Sequence, residues 1–72
     1  MKPIQITAPY ITLGQLLKRL GVISTGGEAK YFLQDHPIEI NGISETRRGR
    51  KIVVGDVLVI VDETYQVVNE IH

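Results

Sequence analysis

Hydrophobic and polar positions along this chain follow two periods, and the change from one to the other delimits its elements. In "PIQIT", Ile4 and Ile6 alternate with polar neighbours, the period-two pattern of a strand with one buried face. Pro3 suits the edge or the start of such a strand. In "TLGQLLKRLG" the period changes: Leu13, Leu16, Leu17 and Leu20 stand at i, i+3, i+4 and i+7, one stripe of a helix. Thr12 and Gln15 form a capping-box pair at its start, and Gly21 offers a left-handed stop. Gly14 is its weak position, costing up to about 1 kcal/mol against alanine inside a helix.

A second helix follows in "STGGEAKYFLQDH". Thr25 and Glu28 repeat the capping signature, and Ala29, Phe32 and Leu33 carry the apolar stripe. Pro37 forbids further helix and turns His36 away from it, so the helix ends near Asp35. "IEINGI" alternates again around Asn41-Gly42, a strong hairpin signal because both residues tolerate positive φ. "SETRRGRK" is polar and bends at a glycine, "IVVGDVLVIV" carries two apolar runs around Gly55-Asp56, and "YQVV" alternates before an end expected to fray. "PIQIT" is expected to pair near "YQVV". The fold class is therefore α+β: two short helices packed on a small, mostly antiparallel β-sheet.

At 72 residues the chain has the size of one small domain, residues 1–72, which buries only about 60 % of the surface its unfolded form exposes. There is no cysteine, so neither disulfides nor cysteine-bound zinc help to hold it, and an apolar core must suffice. Hydrophobic residues make up 43 %, enough for that core. Apolar runs fall well short of the ~20 residues that span a bilayer, and no long apolar signal segment opens the chain. These features favour a soluble protein of the cytoplasm, with no membrane partner.

Charge sharpens the picture. Eight basic residues balance eight acidic ones, but half of the basic ones, Arg47, Arg48, Arg50 and Lys51, lie in "RRGRK". After Lys51 come Asp56, Asp62, Glu63 and Glu70 with no basic residue among them. A neutral total thus permits one positive and one negative face, and it is the local field that recruits an anionic partner.

Catalysis finds little support. The acids are scattered, and His36 and His72, the only histidines, stand at a helix end and at the last position. His36 reads as a residue that tolerates a left-handed turn, not as a catalytic or metal-binding group. "STGGEAK" lacks the spacing of a phosphate loop and follows a helix instead of a strand. The expectation is no enzyme activity, no cofactor, no metal and no small-molecule substrate.

Binding fits better. Gly26 and Gly27 at a helix start expose backbone N–H groups that can seat a phosphate, although taken alone they read more readily as the turn between the helices. Lys30 lies on the polar side of the second helix. Tyr31 is either a stacking ring or, as preferred here, a partly buried core residue. Four like charges within five residues repel one another, and backbone phosphates are the natural counter-charge, with arginine suited to bidentate contact.

Taken in order, "LLKRLGVIS", "GGEAKYFL" and "IEINGI…RRGRKIVVGDVLVI" resemble the alpha-L RNA-binding domain named after small-subunit ribosomal protein four. The resemblance covers about residues 13–60 and is greatest to small stand-alone bacterial members, in which an Arg-Arg-Gly-Arg-Lys element recurs. It implies a module for structured RNA, ribosomal most of all and transfer RNA as a possibility, acting on a ribosomal subunit or assembly intermediate. Arg19, Thr25 and Lys30 match positions of that binding surface; Asn41, Gly42, Gly55 and Asp56 match its architecture. The chain departs from the family where Thr12 and Gly14 replace arginine and aspartate, where Gly26 and Gly27 replace two basic residues, and where His36 replaces glycine. One extra residue sits between Gly21 and Thr25.

The expected RNA face therefore joins Arg19, Thr25, Gly26, Gly27 and Lys30 with Arg47, Arg48, Arg50 and Lys51. The alternative is a protein-interaction adaptor that uses the charged loop or an apolar patch near Ile43 or the last strands.

Overall fold

In the computed structural model, which describes residues 1–69, two helices cover one face of a five-stranded sheet. The strands are β1 (Lys2–Ile6), β3 (Ile38–Ile40), β4 (Ile43–Glu45), β6 (Val57–Ile60) and β7 (Glu63–Asn69), in the order β1-β7-β6-β3-β4. Pairing is antiparallel except between β1 and β7, which run parallel with Ile4 opposite Val67. The expected "PIQIT" with "YQVV" pairing is thus present, and Pro3 lies on an edge strand, where its missing N–H costs no ladder bond. Lys2 meets Glu63 across this pair at 3.3 Å. Fraying of the C-terminus and the reading of His72 concern positions outside the described residues.

Helix α1 (Leu13–Arg19) begins at the capping box read from the sequence: the Thr12 hydroxyl accepts the Gln15 N–H, and the Gln15 side chain accepts the Thr12 N–H. It stops at Gly21, whose φ of 76° admits little but glycine. There the N–H of Val22 donates to the Leu17 carbonyl and that of Gly21 to the Lys18 carbonyl, both at 3.0 Å. Leu13, Leu16 and Leu17 are fully buried and meet Leu33, Ile38, Ile40, Ile52, Leu58 and Val67 in one core.

Helix α2 (Gly26–Asp35) ends where Pro37 requires. Three expectations around it are corrected. Thr25 makes no side-chain cap: the Glu28 N–H already donates to the Thr25 carbonyl at 3.2 Å, so the hydroxyl turns and donates to the Glu28 carboxylate. His36 is not left-handed but sits at φ −133° and ψ 76°, outside the helical region that the following proline disfavours, with its ring stacked on Phe32 at 4.9 Å. Tyr31 is not a core ring; at 68 % exposure it points to solvent, because Ala29 and Leu33 take the inward stripe.

Asn41 and Gly42 form the hairpin with φ values of 53° and 83°. Asn41 is also clasped to Asp56: its amide donates to one carboxylate oxygen at 3.0 Å and accepts from the Val57 N–H at 3.0 Å. The second Asp56 oxygen accepts the Val53 N–H. The two apolar runs flanking Gly55-Asp56 do not pair with each other. The first forms β5 (Lys51–Ile52), which joins β2 (Ile11–Thr12) in a separate two-stranded antiparallel sheet beside α1.

Candidate nucleic-acid interface

The position of the cationic loop follows from that small sheet. Ile11 pairs with Ile52 and Thr12 with Lys51; the Leu13 N–H then donates to the Arg50 carbonyl and the Gly14 N–H to the Arg48 carbonyl, both at 2.9 Å. The first turn of α1 thus donates two of its unpaired N–H groups to the loop. The loop rests directly on the helix: a β-carbon at Gly14 would lie in ordinary contact, 3.5 Å, with the Arg48 carbonyl oxygen.

Arg48 joins the loop to α2. Its guanidinium donates to the Gly26 carbonyl at 3.3 Å, and a cleft of about 310 Å³ between them is lined by Thr12, Gly14, Gln15, Lys18, Gly26, Arg48 and Gly49. The N–H groups of Gly26 and Gly27 have no acceptor among the described residues. Lys30, four residues on from Gly26, shares its helix face. Arg48, Gly26, Gly27 and Lys30 therefore lie on one side of the molecule, with Thr25 at its margin. Lys18 joins them, a residue that sequence reasoning missed. Its signal was its place one turn after Gly14 on the polar face of α1.

Arg47 and Arg50 are held differently. Glu45, with its side chain only 9 % exposed, accepts from Arg47 Nε and Nη2 and from Arg50 Nη1, all within 3.1 Å, and from the backbone N–H groups of Thr46 and Arg47. These bonds, led by the Arg47 side chain, hold the Glu45 carboxyl down at about 2, and the same carboxylate raises the pKa of Arg47. Glu45 points inward because β4 is registered with Ile38 opposite it. One negative charge thus offsets part of two positive ones, and in return fixes where both guanidinium groups sit. Arg47 still has a 76 % exposed side chain, with N–H donors to spare.

Lys51 places its ammonium 4.8 Å from the centre of the Tyr10 ring. Arg19 lies further along α1, its guanidinium donating to the Gln5 carbonyl at 2.7 Å. It lines a cavity next to Tyr10 and is not brought against the Arg48–Gly26 cleft. Ile43 stands 70 % exposed at the hairpin, but single exposed apolar residues are ordinary on protein surfaces. No cluster of three potential metal ligands occurs among the described residues, and no helix among them is long and apolar enough to cross a membrane.

A cationic loop laid across the starts of two helices, on a small α+β domain, defines a polyanion-binding module. The family model described as "S4 domain" matches residues 4–68, and the chain belongs to this family of RNA-binding domains. Among its relatives is the "Probable ribosome maturation protein RlbA" of Bacillus subtilis (strain 168), 50 % identical over 68 residues, with 93 % of this chain and 96 % of the relative covered. Another is the "Putative RNA-binding protein YbcJ" of Escherichia coli (strain K12), 33 % identical over 60 residues, with 83 % and 86 % covered.

Proposed function

We propose that this protein is a non-catalytic RNA-binding module that engages folded ribosomal RNA during ribosome maturation in the cytoplasm. The observation that carries the reading is the double engagement of Arg48: its carbonyl is bound by the first turn of α1 and its guanidinium reaches the first residue of α2. In this reading Arg47, Arg48, Arg50, Lys51, Lys18 and Lys30 contact a phosphate backbone, and Gly26 and Gly27 offer N–H groups to a phosphate oxygen. Such contacts position a protein without reading bases, and duplex RNA is read largely by its shape. Specificity therefore lies in how the RNA folds. The printed names of the two relatives, one for ribosome maturation and one for RNA binding, support the same reading.

Binding to ribosomal RNA, with transfer RNA as competitor, tests it. If roughly four phosphates are neutralised, the logarithm of affinity falls against that of salt with a slope of about −3 to −4, near a hundredfold for a fourfold rise in salt. Arg48→Glu should abolish retention while the thermal midpoint stays within a few degrees, because among the described residues Arg48 pairs with no carboxylate. A slope near zero, or unchanged binding by Arg48→Glu, refutes the proposal. Displacement by transfer RNA at equal concentration would move the target from ribosomal to transfer RNA.

A further inference from the structure

Tyr10 is 43 % exposed, and the phosphate-binding face described above leaves its ring without a function. It borders an open cavity of about 340 Å³ lined also by Ile6, Thr7, Ala8, Ile11, Gln15 and Arg19. Lys51 does not line this cavity; its ammonium sits 4.8 Å from the ring centre and holds the ring from outside. Gln15 borders both this cavity and the Arg48–Gly26 cleft, so the two are neighbours on the surface.

We propose that this cavity takes one unpaired nucleobase of the bound RNA, stacked on Tyr10. The inference rests on the RNA-binding reading and deepens it to a class of target: a folded RNA with an extruded base beside its phosphate contacts. A half-exposed aromatic ring beside the buried Ile6 and Ile11 suits the face of a base. The remaining N–H groups of Arg19, the Gln15 amide nitrogen and the Thr7 hydroxyl supply donors for the edge of the base. Gln15 keeps that nitrogen available because its capping bond uses only the oxygen. Every base has a stackable face, so the site selects extrusion before identity.

The test compares two RNA hairpins with the same stem, one fully paired and one with a single bulged adenosine. The bulged hairpin should bind more tightly by roughly five- to a hundredfold, the range of one base–aromatic stack. Tyr10→Ala should erase that preference and leave the salt slope unchanged, whereas Tyr10→Phe should retain it. Because the chain has no tryptophan, Tyr10→Trp adds a single indole, whose emission should be quenched by the bulged hairpin and not by the paired one. Should Tyr10→Ala fail to fold, that quenching decides the matter. Equal affinity for the two hairpins with a steep salt slope, or equal quenching by both, overturns the base site and leaves phosphate binding intact. A flat salt slope with both hairpins overturns the RNA reading and this inference with it.

Discussion

Val61 is held at a φ of 56° in the two-residue turn between β6 and β7, where Ile60 pairs with Glu63. A β-branched side chain in this left-handed region is strained by about 1–2 kcal/mol, a penalty that glycine escapes and asparagine feels less. The side chain is mostly exposed, so little packing is lost on replacing it. Val61→Asn should therefore raise stability by roughly 1 kcal/mol, which for a domain of this size is an upward shift of about 4–8 °C in the thermal midpoint; an unchanged or lowered midpoint would show that the strain is not there. Nothing local announces this hairpin, since "VIVDE" contains neither asparagine nor glycine. By contrast Asn41-Gly42 was readable, because both residues of that turn tolerate the dihedrals it demands.

Helix starts look alike as elements in the sequence and differ in the structure. Thr12 and Thr25 each stand three residues before a residue that can complete a capping box, yet only Thr12 accepts a backbone N–H. Thr12→Ala should cost about 1 kcal/mol in urea unfolding, the usual value of such a cap, and Thr25→Ala only a few tenths. Equal losses would mean that the Thr25 hydroxyl caps α2 after all. The difference has a cause: a hydroxyl can accept from the third helical N–H only if nothing else has claimed it, and at α2 the Thr25 carbonyl has. Helical stripes and strand alternation were legible because period is a property of the chain itself. The β2–β5 pair was not legible, since two residues on each side carry no period.

For the whole molecule, Glu45 ties the sheet to the cationic loop. Its folded pKa of about 2 lies below the ordinary 4.5. A depressed carboxyl adds stability that is fully present above the unfolded pKa and is lost as pH falls towards the folded one. Wild type should thus lose stability between about pH 4.5 and pH 2. Glu45→Gln should start less stable at pH 7 and decline less over that window, as followed by thermal midpoint. Parallel curves for the two would mean that the loop stands without this carboxylate. The same bonds answer how so much positive charge coexists in one short loop: each guanidinium is anchored before any RNA arrives.

The sequence by itself determined the two helices, their ends at Gly21 and Pro37, the Asn41-Gly42 turn, the α+β class and the concentration of cations at "RRGRK", since each depends on residues within a few positions of one another. Only tertiary structure decided that Arg48 meets Gly26, that Glu45 gathers Arg47 and Arg50, that Lys18 joins the cleft and that Arg19 turns instead to Gln5. Arg48–Gly26 and Arg19–Gln5 span 22 and 14 residues, and even the short link from Glu45 to the loop depends on the β3–β4 register that points its carboxylate inward. No local preference encodes such contacts; they exist because burying one leucine-rich stripe against one sheet leaves the loop a single place to lie.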